Sequence, residues 1–374
     1  MRICLVGPSY PFRGGIAHYT TLLYKHLRPR HDSAFFSFSR QYPRWLFPGK
    51  TDKDNSQIAI KEEGVEATLD SMNPWSWYLT YKKIRAHQPD VVIFPWWIFF
   101  WMPQFAFLTR MIHANTDARV LFICHNVVAH ESHFIARWCT KYVLTGADLF
   151  LVHSSEDLKN LKAMIPQATV KQVFHPSYDQ FPRTDLSKES ARRLLGVDGH
   201  VILFFGFVRP YKGLDYLLDA LPRILAEQQV KLLIVGEFWR DKARYLQKIK
   251  TLGIDDAVQV SDAYVSNEEI ERYFVAADLL VMPYTSATGS GIVQLSFGFG
   301  LPVVVTSVGA LPEVVKDGET GFVVPPMDSE VLAEKVLAFF KNGLGKTFAE
   351  NIDREKYRFT WNHLIGTIEE LTIS

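Results

Sequence analysis

The residues best placed to do chemistry are cations, glycines and one histidine standing just after apolar runs. Arg209 and Lys212 lie three apart in Phe205-Gly206-Phe207-Val208-Arg209-Pro210-Tyr211-Lys212-Gly213, where an apolar run gives way to a helical pattern. A guanidinium grips phosphate oxygens in pairs and an ammonium adds a compact charge, so together they suit a diphosphate. A solvated turn is the competing reading. Gly14-Gly15 closes the loop that begins at Gly7 and opens another helical stretch. Such glycines let backbone N–H groups approach a phosphate, aided by the helix dipole, although paired glycines also mark plain turns. No G-x-G-x-x-G follows the preceding run, so this is not a dinucleotide fingerprint.

A third loop, Pro283 to Gln294, carries Thr288, Gly289, Ser290, Gly291 and Gln294. Its small hydroxyls and free N–H groups form another nest for an anion. Downstream, Pro312 and Glu313 suit the first turn of a helix. His125-Asn126 follows the apolar run Val120–Cys124. An imidazole at a strand's carboxyl end can donate a hydrogen bond or move a proton. His130 and Glu131 lie close by in sequence, but a five-residue step from His125 splays the rings on a helix and matches no zinc motif. No metal site is expected.

These residues need elements to hold them. Ile3–Val6, Ala34–Phe38, Val91–Phe94, Val120–Cys124, Leu149–Val152 and Val170–Phe174 read as strands, with a helix over Ile16–Leu27. The pattern restarts with Val201–Phe205, Leu232–Val235, Val258–Ser261, Leu279–Met282 and Val303–Thr306, and with a helix from near Gly213. Further helices are expected over Val331–Phe340 and near Trp361–Leu371. Continuous rather than alternating apolar strands imply burial on both faces, hence two parallel α/β domains joined near His175–Ser190. Parallel sheets place ligands at the carboxyl ends of their strands.

Composition narrows the partners. The chain has 374 residues, 48% hydrophobic and 22% charged, which is globular and long enough for two domains. Forty-one Lys and Arg against 40 Asp and Glu leave +1, without the global positive field of a dedicated nucleic-acid binder. That balance conceals an asymmetry. Residues 1–182 hold 20 cations and 14 anions, together with 30 of the 51 aromatic residues. Three scattered cysteines make no disulfide framework, and the opening MRICLVGPSYPF has no signal-peptide pattern, so a reducing cytoplasm fits. Val91–Leu108 is uncharged over eighteen residues, but Pro95, Pro103 and Gln104 interrupt it. It reads as a strand, an aromatic loop and a helix, with the Trp96–Trp101 loop able to touch a membrane surface.

Together these segments resemble the retaining glycosyltransferases of family 4, the group 1 transferases of GT-B architecture. The most specific parts are Phe205–Leu221, Tyr264–Pro283 (YVSNEEIERYFVAADLLVMP) and Gly300–Pro325 (GLPVVVTSVGALPEVVKDGETGFVVP), with Gly14-Gly15, His125-Asn126 and His175-Pro176 in support. The resemblance implies two Rossmann-like parallel-sheet domains facing a central cleft. Residues 1–178 would form the acceptor domain, with 359–374 crossing back to it, and 179–358 the nucleotide-sugar donor domain. Arg209 and Lys212 would neutralise the donor diphosphate, with help from the Gly14-Gly15 backbone. His125 would contact the transferred sugar, and Tyr264-Val265 would hold the base. The family acts without a metal or cofactor, and Asp52-Lys53-Asp54, in a polar loop before a strand, reads as a solvated turn rather than a metal site. The acceptor would be a glycan or a lipid-linked sugar, at an anionic membrane surface in the cytoplasm.

One departure stands out. The family carries two glutamates eight positions apart before the G-L-P strand, and Ala287 and Leu295 occupy those positions here. No carboxylate lies between Asp278 and Glu313. Either Thr288, Ser290 and Gln294 take over the sugar contacts, or the protein binds a glycan or partner without turnover. Epimerisation of a sugar nucleotide is a third chemistry hosted by the same architecture.

Overall fold

Strands form where apolar residues run without alternation, and in the computed structural model they pair in parallel throughout. The structure describes residues 1–43, 52–128, 134–177, 184–239, 241–287 and 289–373. The expected domain boundary at 178/179, Thr288, and the pair His130 and Glu131 lie outside them. Two compact units emerge. Unit 1 comprises Met1–Asn55, Ala59–His175 and Thr360–Ser374, and unit 2 comprises Ser56–Ile58 and Pro176–Phe359.

Unit 1 contains β1 (Arg2–Val6), α1 (Gly15–Leu27), β2 (Asp32–Arg40), β3 (Val65–Asp70), α2 (Pro74–His87), β4 (Val91–Trp96), α3 (Met102–Asn115), β5 (Arg119–Cys124), α4 (Phe134–Leu144), β6 (Leu149–Val152), α5 (Ser155–Met164) and β7 (Thr169–Gln172). Its seven strands are ordered β3-β2-β1-β4-β5-β6-β7. Right-handed crossovers put α2, α3, α4 and α5 on one face and α1 on the other. Much of the aromatic surplus is core: Phe94 stacks on Phe122 at 5.3 Å, and Phe105 lies 5.1 Å from Phe94.

Unit 2 contains α6 (Lys188–Leu195), β8 (His200–Phe205), α7 (Leu214–Glu227), β9 (Val230–Val235), α8 (Lys242–Leu252), β10 (Val258–Ser261), α9 (Asn267–Ala276), β11 (Leu279–Met282), α10 (Gly291–Gly298), β12 (Val303–Thr306), α11 (Leu311–Val314), β13 (Gly321–Val324), α12 (Ser329–Lys341) and α13 (Gly345–Glu355). Its six strands are ordered β10-β9-β8-β11-β12-β13. The last helix, α14 (Trp361–Ile373), packs in unit 1 against α1, β6 and β7.

Three expectations change. Val91–Leu108 is a strand, a short turn and a helix, and within its Trp96–Trp101 loop Trp96 and Trp101 are 1% and 0% exposed and belong to the core, whereas Ile98 and Phe99 reach solvent. The two tryptophans fill the core because the sheet needs bulk at the end of β4, where Trp101 meets Phe38 at 4.7 Å. Among the described residues no helix is long and apolar enough to cross a membrane. The segment Asp52-Lys53-Asp54 is not a solvated turn. Phe12 and Lys53 form an antiparallel bridge, the Arg13 N–H donates to the Asp52 carbonyl (2.9 Å) and the Asp54 N–H to that of Pro11 (2.8 Å). Asp54 is buried, 3.8 Å from the His18 ring nitrogen. The edge strand β3 escaped notice because its charged, half-exposed residues lack the apolar run.

Candidate functional site

In both sheets the strand order reverses, between β1 and β4 in unit 1 and between β8 and β11 in unit 2. Connections leave such a switch point in opposite directions, which opens a crevice at the strands' carboxyl ends. The residues singled out by sequence lie at these ends.

In unit 2, β8 delivers its chain through Gly206 to Val208, whose N–H donates to the Glu237 carbonyl (3.0 Å). Arg209 follows, and its guanidinium carbon sits 3.3 Å from the centroid of the Trp239 ring. That stacking fixes the planar fork while leaving its N–H edges available. Lys212 ends the short turn Pro210–Lys212 and is only 6% exposed, with Nζ 5.3 Å from the Tyr284 ring centroid. Among the described residues the head groups of both cations meet aromatic rings and no carboxylate. Burial, reinforced by Arg209, pushes the Lys212 ammonium down to about 8, against the smaller opposing effect of Tyr211. A buried, unpaired ammonium beside a guanidinium is costly unless an anion arrives to pair with it.

The turn is pinned to β11. The Thr285 N–H donates to the Tyr211 carbonyl (2.8 Å), and Tyr211 and Tyr284 pack edge to face at 5.9 Å. Gly213 has φ +68, and a Cβ there would lie 1.8 Å from the Pro283 carbonyl oxygen. Gly213→Ala is therefore expected to cost about 3 kcal/mol or more of stability, read as a lowered urea midpoint with unchanged slope.

Gly289 precedes Ser290, which caps α10, its Oγ accepting from the Ile292 N–H (3.4 Å), with the Tyr284 hydroxyl 3.5 Å away. Gly291 opens that helix, and Gln294 is buried within it, its Oε1 without a partner. A ligand hydroxyl could satisfy that oxygen. Ala287 and Leu295 are both buried and apolar. Half-buried Tyr264 and buried Val265 follow β10, in a loop laced to its neighbour by the Phe238 N–H donating to Asp262 Oδ1 (2.9 Å).

In unit 1, Gly14 has φ +114, a region only glycine occupies readily, and begins α1 without a side-chain cap or first-turn acid. The first N–H groups of α1, from Gly15 onward, are thus an uncapped positive terminus. One turn later Tyr19 meets His125 at 4.5 Å, edge to face. The His125 N–H donates to the Trp96 carbonyl (2.8 Å), and buried Asp157 fixes the next turn by accepting from the Val127 N–H (2.8 Å) and the Ser154 hydroxyl (2.8 Å).

Sequence reasoning missed the company His125 keeps. His153, at the end of β6, lies 5.2 Å from His125, and His175, after β7, lies 5.3 Å from His153. Trp361 of α14 stands 5.3 Å from Tyr19. The Nδ1–H of His153 donates to the Val173 carbonyl (2.8 Å), which leaves Nε2 as an acceptor. Both Nε2 atoms, of His125 and His153, are buried without partners. Burial and the neighbouring imidazoles hold His125 well below the usual histidine range and His153 near 3. Adjacent parallel strands each ending in His were the available signal. Among the described residues no group of three His, Cys, Asp or Glu side chains could hold a metal ion.

The description "Glycosyl transferases group 1" matches residues 199–342. An uncharacterised glycosyltransferase of Methanocaldococcus jannaschii is 32% identical over 269 residues, 68% of this chain and 66% of that protein. A D-inositol 3-phosphate glycosyltransferase of Corynebacterium efficiens is 29% identical over 210 residues, 53% of this chain and 49% of that one. The chain thus spans about half to two thirds of the length of these curated relatives. The crystal structure of Anabaena HepE in complex with UDP superposes with a TM-score of 0.76 over 99% of each chain at 20% identity, which carries the fold. The two parallel α/β units, the sequence match over the second of them and the whole-chain superposition agree: the chain belongs to the group 1 glycosyltransferases of GT-B fold.

Proposed function

We propose that the protein is a retaining glycosyltransferase of family 4 type that moves a sugar from a nucleotide-diphosphate sugar to a glycan or lipid-linked acceptor, in cell-surface polysaccharide or glycolipid synthesis. The observation that carries this reading is the buried, unpaired Lys212 beside the stacked Arg209. When the bond from the anomeric carbon to the diphosphate oxygen breaks, the leaving group takes the electron pair. Arg209 and Lys212 stabilise the charge that develops there. The acceptor hydroxyl attacks the same face of the sugar and passes its proton to the departing phosphate oxygen, so the configuration is retained.

Tyr264 and Val265 hold the base. Ser290, Gln294 and the Gly289-Gly291 backbone hold the donor sugar in place of the absent carboxylates, with Thr288 assigned by sequence alone. The uncapped N-terminus at Gly14-Gly15 suits a phosphate, and His125 the transferred sugar. The cations do the work of a metal, so neither metal nor cofactor is required, and the enzyme acts in the cytoplasm. Its partners are the nucleotide sugar and the acceptor, with an anionic membrane surface where the acceptor is lipid-linked, and no nucleic acid.

A panel of nucleotide sugars, scored for nucleoside diphosphate release and product mass, tests this. One donor is expected to be turned over in the presence of chelator, giving a product with the donor's anomeric configuration. Binding of a nucleotide sugar with no release in any pairing would instead favour a non-catalytic binder, the reading that buried, apolar Ala287 and Leu295 support.

A further inference from the structure

The aromatic residues that do reach solvent in unit 1 are concentrated on the face covered by α2, α3 and α4. On α4, Ala136, Cys139, Thr140, Val143 and Leu144 face the core. The opposite side presents Phe134 (83% exposed), Ile135, Trp138 (55%) and Tyr142. Phe134, Trp138 and Tyr142 are spaced four apart and so form one stripe along the helix. Trp138 and Tyr142 stack at 5.7 Å, and Arg110 of α3 donates from Nη2 to the Tyr142 hydroxyl (3.0 Å). Trp75 of α2 is 63% exposed, and Phe99, just before α3, is exposed as well. No other Trp on the described surface is comparably bare, and placing such side chains in water-facing positions serves no packing purpose within the fold.

The charge on these three helices is one-sided, whereas α5 on the same face carries both Glu156 and Asp157 and two lysines. The 39 residues of α2, α3 and α4 contain Lys82, Lys83, Arg85, Arg110, Arg137 and Lys141 and not one Asp or Glu. Lys83 pairs with Glu66 on β3. Lys82, Arg85, Arg137 and Lys141 have no carboxylate partner among the described residues. A helix with an outward stripe of aromatic rings flanked by unpaired cations is built to lie in the plane of a bilayer interface, rings among the acyl chains and cations among anionic headgroups.

We infer that the α2–α4 face of unit 1, centred on Phe134, Trp138, Arg137 and Lys141, docks on an anionic lipid bilayer. A second copy of this chain is the weaker occupant, because a self-complementary interface would bring cations against cations. None of these side chains is assigned to the transferase site, and the proposal rests on that reading only for its purpose, delivery of the protein to a lipid-linked acceptor.

The test is flotation of the full-length protein with vesicles of phosphatidylcholine, with and without phosphatidylglycerol, at low and high salt. The wild type is expected to float with the anionic vesicles at low salt only. The exposed-site variants Phe134→Ser/Trp138→Ser and Arg137→Glu/Lys141→Glu are each expected to lose about tenfold or more of that binding while retaining their folded circular dichroism. Nucleoside diphosphate release, followed without vesicles, is expected to be unchanged in both. Equal binding to neutral vesicles, no binding at all, undiminished binding by the variants, or a wild-type dimer that the variants abolish would each overturn the proposal. Failure of release with intact flotation would overturn the transferase reading alone.

Discussion

Lys212→Met is expected to make the protein more stable and nearly inactive. At 6% exposure and without a counterion, Lys212 carries its charge in a largely desolvated setting, and the depression of its pKa to about 8 from an ordinary 10.5 reflects that penalty. The depression corresponds to about 3 kcal/mol at neutral pH, so a methionine of similar length should raise the unfolding free energy by up to about that amount. Loss of one stabiliser of leaving-group charge should lower donor kcat/KM about 10²- to 10³-fold, with Arg209→Ala falling by a similar factor. The double variant should lose less than the product of the two, because both cations act on the same charge. The pH dependence has a definite sign. In the free protein the ammonium deprotonates as pH rises through about 8, so wild-type kcat/KM should decline above that value, and the residual activity of Lys212→Met should not. A structural lysine would give the opposite pattern, lower stability with activity retained.

The sheets were legible because parallel strands buried on both faces are written as unbroken apolar runs, such as Val91–Phe94 and Leu279–Met282. Gly213 and Lys212 were legible as a turn with a cation. What the sequence could not show was that this cation points inward and finds no carboxylate, since burial is set by residues as distant as Tyr284. Asp54 misled for the same reason. A polar segment reads as solvated until a bridge to Phe12, forty-one positions earlier, turns its carboxylate inward. The Trp-rich segment misled in the other direction. Composition pointed at a membrane, but Trp96 and Trp101 serve the core, and most of the exposed rings of unit 1 belong to α2 and α4, whose amphipathic pattern also fits an ordinary surface helix.

Acidification from pH 7.5 to 5 is expected to destabilise unit 1 by about 2 kcal/mol through His153, with His125 adding in the same direction. Both are held neutral, first by burial and then by neighbouring rings, with His153 near 3 and His125 well below the usual range. The groups facing them are His175, Tyr19 and, through Tyr19, Trp361, none of them an anion that could rescue an imidazolium. The folded-state values lie under the unfolded value of about 6.5, so the unfolded chain takes up protons that the folded chain refuses. Stability from these groups is complete above about pH 6.5 and is lost as pH falls below it, at about 1.4 kcal/mol per unit for each ring. At pH 5 His153 has given up about 2 kcal/mol. His31, lowered chiefly by burial, adds in the same direction, whereas the depressed carboxylates of Asp215 and Glu355 act only below about pH 4.5. Eight of the nine tryptophans belong to unit 1, the ninth being Trp239, so intrinsic fluorescence during urea unfolding reports this unit. His153→Gln should remove its own share, about 2 kcal/mol, of the acid sensitivity. Equal sensitivity in the variant would mean that the cluster is hydrated and titrates normally, and that its neutral acceptors are not available to a sugar hydroxyl.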